Sequence, residues 1–282
     1  MRKLAIILPL FLATVAVKAQ QSIVFKVKYL PNHVYKMNMK MDMSMQMVMP
    51  TDGTTLSKKA APPKAYQQTA TNIMQTMIST GAPKADHTFP IKMQITAINA
   101  KAKMNGKEID LPTQKNPIVG QVITGQCDAD GKLHIDQPKT MDSKTAIKTG
   151  IRDMINKMQG KIKFPGKPLS VGESFTQDTP INMPAAGMNM DINAKTTYKL
   201  TAIKGNLAYF DTKTSMTLDA NKKGTAMTGG GSGTGKMVYN IAENNFNTMN
   251  NTMDMKYSMN MAGKPMSIKM KMVSAVKNDI TK

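Results

Sequence analysis

The sequence predicts a fold that is all-β dominated and mainly antiparallel: a large curved sheet, half-barrel or sandwich, with one amphipathic helix. Three observations lead there. Residues 36–49 read KMNMKMDMSMQMVM, with methionine at every second position. The same alternation of apolar and polar residues returns in later segments, and a period of two is the mark of a strand with one face buried. Only residues 142–160 carry a clear helical period.

The chain opens MRKLAIILPLFLATVAVKAQ. Arg2 and Lys3 precede an apolar run over residues 4–17, interrupted only by Pro9 and Thr14, and Val17-Lys18-Ala19 offers small residues before Gln20. Residues 1–19 therefore read as a signal peptide, which implies an exported protein, periplasmic or extracellular. No cysteine follows the apolar run, so no lipid anchor is expected, and no later segment is long and apolar enough for a transmembrane helix. Cleavage would remove three of the 38 cations and none of the 18 acids, lowering the formal charge from +20 to +17. Cys127 is the only cysteine, so an apolar core rather than an internal disulfide must hold the fold.

The elements follow in order. After Ile23-Val24-Phe25 and a turn around Leu30-Pro31-Asn32, the methionine string carries Asn38, Lys40, Asp42, Ser44 and Gln46 on the opposite parity. A helix would scatter these methionines around its circumference, whereas a strand lines them along one face. Residues 50–69 are polar with Pro and Gly, and read as a mobile loop. Residues 70–80 fit either a strand or a short helix. Ile91, Met93, Ile95 and Ala97 alternate again. Residues 122–124 and 133–135 flank Asp130-Gly131 as a hairpin.

Residues 142–160 can be capped by Asp142 or Ser143 and ended by Gly160, with Ile147, Ile151, Met154, Ile155 and Met158 on one face. This helical connector, 139–161, divides two β-rich halves, 20–138 and 162–282. In the second half Met188, Met190 and Ile192 alternate with polar residues, and Gly205-Asn206 marks a hairpin turn. Met253, Met255, Tyr257, Met259 and Met261 lead to Gly263-Lys264-Pro265. From there Met266, Ile268, Met270 and Met272 return as a second strand with a methionine face.

The second half also carries a resemblance. Lys167-Pro168-Leu169-Ser170-Val171-Gly172-Glu173-Ser174-Phe175 leads into a strand, followed by Tyr198-Lys199-Leu200 and Ile203-Lys204-Gly205-Asn206-Leu207-Ala208-Tyr209-Phe210. Over residues 160–275 this order resembles a family of uncharacterised secreted bacterial β proteins that share a Pro…Val-Gly-Glu/Asp-Ser-aromatic lead-in. The resemblance implies a Gram-negative exported protein and no known activity. In architecture alone, a long curved antiparallel sheet with a helix against its face is similar to the half-barrels of periplasmic lipoprotein carriers.

Motifs for catalysis are weak. Gly230-Gly231-Ser232-Gly233-Thr234-Gly235-Lys236 matches the spacing of a phosphate-binding loop, but Met237 stands where Ser or Thr should bind magnesium. The run reads as a flexible loop. Asp128-Ala129-Asp130-Gly131 lacks the later ligands of a calcium loop and reads as a tight turn. His33, His87 and His134 are dispersed, and Glu108, Glu173 and Glu243 are the only glutamates. No enzyme and no cofactor is expected. Aromatic residues are 5% of the chain and Trp is absent, which argues against stacking platforms for nucleic acid or carbohydrate. The basic charge reads as a lysine-studded solvent face, or as attraction to an anionic membrane surface.

Methionine remains, 29 of 282 residues. Its flexible thioether chain suits a wall that repacks around a lipid or another hydrophobic small molecule. Met37, Met39, Met41, Met43, Met45, Met47, Met255, Met259, Met270 and Met272 would line such a site, with Met154 and Met158 closing it. A second reading is a soft Cu(I)/Ag(I) site using Met39, Met41, Met43 and His33. A third is a structural or surface protein whose methionine face is simply a filled core. The pattern is compatible with all three.

Overall fold

A computed structural model describes residues 22–49, 64–109, 118–130, 132–136, 162–185, 188–222, 225–261 and 264–282. The expected signal peptide, the helical connector with Met154 and Met158, and residues 50–63 of the expected loop lie outside them.

Fourteen strands account for most of the described chain. They are β1 (Ser22–Ile23), β2 (Val34–Met49), β3 (Lys64–Thr80), β4 (Phe89–Met104), β5 (Lys107–Ile109), β6 (Val122–Cys127) and β7 (Leu133–Ile135). The second half supplies β8 (Leu169–Ser170), β9 (Ser174–Ala185), β10 (Met188–Lys204), β11 (Leu207–Lys222), β12 (Thr225–Asn240), β13 (Asn245–Met261) and β14 (Lys264–Thr281). No helix occurs among the described residues.

One sheet of twelve strands runs β7-β6-β4-β3-β2-β14-β13-β12-β11-β10-β9, with β5 beside β4. Its named strand pairs are all antiparallel, and the sheet is open, with β7 and β9 at its edges. The first and last long strands meet at its centre: β14 pairs with β2 from Ser267↔Val48 to Thr281↔Val34. The two sequence halves thus contribute to one continuous sheet. β1 and β8 form a separate two-stranded ribbon.

Two segments depart from the sequence reading. Residues 64–69 belong to β3, where Thr69 faces Ser44 and Ala65 faces Val48. Their side chains are too polar to write an alternation, and the backbone ladder to β2 settles their state instead. The glycine run is likewise a strand: residues 225–240 pair with β11 on one side and β13 on the other. Gly229, Gly231, Gly233 and Gly235 keep a strict period of two. A Cβ at Gly231 would stand 2.6 Å from Cγ of Met255, and one at Gly233 would stand 2.6 Å from Cγ of Met253. Glycine is needed there because neighbouring side chains lean over the strand.

The expected hairpins form. β10 turns into β11 at Gly205-Asn206, with Lys204 facing Leu207. In the β6–β7 turn the Asp128 carboxylate accepts from the amides of Asp130 (3.0 Å) and Lys132 (2.9 Å). That carboxylate is occupied in shaping a turn, as the tight-turn reading requires.

Candidate functional site

Register brings the methionines together. Because side chains alternate across a strand, each cross-strand row of partners shares a face. One row joins Met45, Met270, Met255, Gly231 and Met216 across β2, β14, β13, β12 and β11. The next joins Met43, Met272, Met253, Gly233 and Thr214, and another joins Met47, Ile268, Tyr257, Gly229 and Leu218. Met259, Met266 and Met227 extend the patch toward the β13–β14 turn. The methionine string and the C-terminal hairpin therefore form one surface.

At its centre Met255, Tyr257, Met266, Ile268 and Leu218 are buried. Around them Met45, Met47, Met216, Met227, Met253, Met259, Met270 and Met272 are only partly buried. Every member of this cluster comes from a strand of the sheet itself. Tyr257 Oη donates a hydrogen bond to Sδ of Met255 at 2.9 Å, satisfying the phenol in an otherwise apolar setting. Burial raises the Tyr257 hydroxyl above its ordinary pKa, so it stays a protonated donor. Met37, Met39 and Met41 continue the same face in half-exposed positions. Met41 lies between Asn72 and Ser274 and Met37 between Thr76 and Asn278, whereas Met39 lies between Met74 and Val276.

The other end of the same face is closed. Phe25, from the segment preceding β2, packs against Phe210 and Tyr239 edge-on and stacks on Phe164, with each pair of centroids 5.2 Å apart. Leu200, Ala208, Met237 and Leu169 complete this core. The Tyr239 hydroxyl donates to the carbonyl of Lys26, and the amide of Lys28 donates to the carbonyl of Asn244 at 3.1 Å. Nearby, Tyr29 meets Tyr35 edge-on at 5.1 Å, over a second core containing Ile78, Phe89, Ile91 and Cys127.

His33 belongs to this closed end. It is 5% exposed; Nδ1 lies 2.5 Å from the carbonyl of Pro31, and Nε2 lies 3.1 Å from the Glu243 carboxylate. Six residues of extended strand, about 20 Å at 3.3 Å per residue, separate it from Met39. The structure does not bring His33 to the methionines proposed as its metal-binding companions. Cys127 is fully buried, and that burial pushes its thiol up to about 12, consistent with an inert packed residue. No group of three His, Cys, Asp or Glu side chains able to hold a metal occurs among the described residues.

The opposite face is polar. Lys40 pairs with Asp42 at 2.8 Å, and the Thr71 hydroxyl donates to Asp42 at 2.7 Å. Lys256 and Lys269 stand directly opposite each other on β13 and β14. Two shallow hollows, of about 520 and 600 Å³, contain no methionine in their linings. Among the described residues, no apolar side chain from outside the sheet lies on the methionine patch as Phe25 and Phe164 lie on the other end. No described helix is long and apolar enough to cross a membrane, which says nothing of spanning by strands.

Sequence reasoning missed the glycine strip, Met216, Met227 and Leu218. The strip did carry a signal, since its glycines repeat with the same period as the methionines.

No family profile and no curated protein matches the chain. Among solved structures, one of lipovitellin, concerned with lipid–protein interactions, is similar over 90% of this chain at 11% identity and a TM-score of 0.45. The chain spans 26% of that protein's length. A BenF-like porin from Pseudomonas fluorescens Pf-5 is similar over 87% of this chain and 99% of its own, at 8% identity and a TM-score of 0.21. Likenesses this remote carry no functional argument.

Proposed function

We propose that the protein is a non-enzymatic exported binding protein that holds a lipid or another hydrophobic molecule against its methionine face. One observation carries the reading: among the described residues the methionine-rich cluster is built from sheet strands alone, and the eight methionines around its buried centre stay partly exposed. The equivalent surface at the other end is covered by residues from crossing segments. An apolar face of this kind is a binding surface in search of an occupant. Each 100 Å² of it covered contributes about 2.5 kcal/mol before ordering costs. Methionine lets the face repack around chains of different shape. The lysines of the opposite face supply the charge to approach an anionic membrane surface.

Native mass spectrometry of the protein purified from its exported fraction tests this. A bound species of lipid mass, lost in a Met45→Lys/Met270→Lys variant that keeps its strand content, is the expected result. An empty protein that also fails to bind a fluorescent fatty acid would overturn the proposal.

A further inference from the structure

The methionine face also contains a feature that a hydrophobic wall does not require. Met43, Met272 and Met253 form one row across three adjacent strands, and Met45, Met270 and Met255 form the next. Neither row is interrupted by a branched aliphatic residue across those three strands. Valine and isoleucine suit strands better than methionine does, and the adjoining row accepts Ile268 between Met47 and Tyr257.

Spacing decides where sulfurs can converge. Same-face neighbours along one strand are about 6.6 Å apart, whereas neighbours across strands are about 4.8 Å apart. Three rotatable bonds in each side chain can bring thioethers from adjacent strands together more readily than thioethers spaced along one strand. Five of the six methionines are partly exposed, so an ion has access from solvent. The sixth, Met255, already presents its sulfur as an acceptor to Tyr257. Thioethers are neutral, soft donors that select monovalent copper or silver over hard cations.

We infer that these two rows form a soft-metal site that binds Cu(I) or Ag(I) through three of the six thioethers, Met43, Met45, Met253, Met255, Met270 and Met272. This inference goes beyond the hydrophobic-ligand reading and stands or falls separately. It places the metal between strands, not along the comb of Met39, Met41 and Met43, and it leaves His33 out.

The test is anaerobic competition for Cu(I) against bicinchoninate, with native mass spectrometry of the Ag(I) form. The intact chain should take up at least one ion. Replacing all six residues with leucine should lower Cu(I) affinity at least 100-fold while strand content persists. Of the single-row variants Met43→Leu/Met253→Leu/Met272→Leu and Met45→Leu/Met255→Leu/Met270→Leu, at least one should lower it at least tenfold, and the pair supplies the answer if the sixfold variant does not fold. Met39→Leu/Met41→Leu and His33→Ala should bind as the parent does. No uptake by the parent, full affinity in both row variants, or loss only in the Met39/Met41 or His33 variants would each overturn the inference. Failure of the parent to bind a fluorescent fatty acid while it takes up Cu(I) would count against the hydrophobic-ligand proposal and leave this one standing.

Discussion

The two ends of the sheet use one face in opposite ways. Around Phe25, Phe164, Phe210 and Tyr239, residues from crossing segments lie on the strands and pack them with aromatic rings. Around Met255, Met266 and Ile268, among the described residues, strand residues pack against other strand residues, and methionine rings the patch. The same alternation generates both surfaces. What separates them, among the described residues, is the cover: rigid aromatic contacts where crossing segments lie on the strands, and flexible thioethers where no described segment does. Stability should therefore reside mainly at the closed end and binding at the open one.

Truncation at the closed end should have the largest effect. Phe210→Ala should destabilise by about 3–5 kcal/mol, because the ring is buried and the surrounding aromatics cannot collapse into the space. Chemical denaturation measures it. An effect below about 1 kcal/mol would mean that the aromatic cluster does not anchor the sheet.

Gly231→Val should come next, costing about 1–3 kcal/mol by overpacking. Its Cβ would meet the Asp254 carbonyl oxygen and Cγ of Met255, each at 2.6 Å. Ser232→Val, on the opposite parity of the same strand, serves as the control. Equal effects at the two positions would remove the link between glycine and the methionine overlay.

Met270→Leu should cost less than about 1.5 kcal/mol, since volume is nearly conserved and the site is partly exposed. Thermal unfolding compares it with Phe210→Ala, and a comparable loss would erase the contrast between the ends.

The smallest effect concerns pH. The Lys40 ammonium and the Thr71 hydroxyl hold the Asp42 carboxyl below the usual carboxylate range. A depressed folded pKa contributes stability above the unfolded value of about 3.9, and that contribution is lost as pH falls through the folded pKa. Asp42 is exposed, so salt should screen the effect. Asp42→Asn should lie slightly below the parent at neutral pH and low salt, and converge with it in acid. A gap that widens in acid would contradict the sign.

Much of this fold was legible because the period of two is written in chemically contrasting residues. The string from Met37 to Met49 and the hairpin from Met253 to Met272 predicted their own strands, and the matching parities predicted a shared methionine face within the hairpin. Less visible was the pairing of β2 with β14, a contact between opposite ends of the sequence that no local pattern specifies. Residues 64–69 were obscured by polarity, and residues 229–235 by the habit of glycine in loops. Their strand state comes from ladders, to β2 for residues 64–69 and to β11 and β13 for the glycines, a tertiary effect that overrides propensity. At the candidate site, the methionine positions could be read from sequence, but their neighbours across strands could not. His33 illustrates the difference: it lies near the string in sequence, yet is buried beside Glu243 at the other end of the strand.

The central claim is that one face of the sheet, at its open end, binds hydrophobic ligands. The most direct test compares fatty-acid binding, by fluorescence titration, in Met270→Lys and Val273→Lys. Met270 belongs to the methionine patch, whereas Val273, three residues on, is 41% exposed on the opposite face. Met270→Lys should lose at least tenfold in affinity, and Val273→Lys should keep the parental affinity. Parental binding in both variants, or equal loss in both, would contradict it.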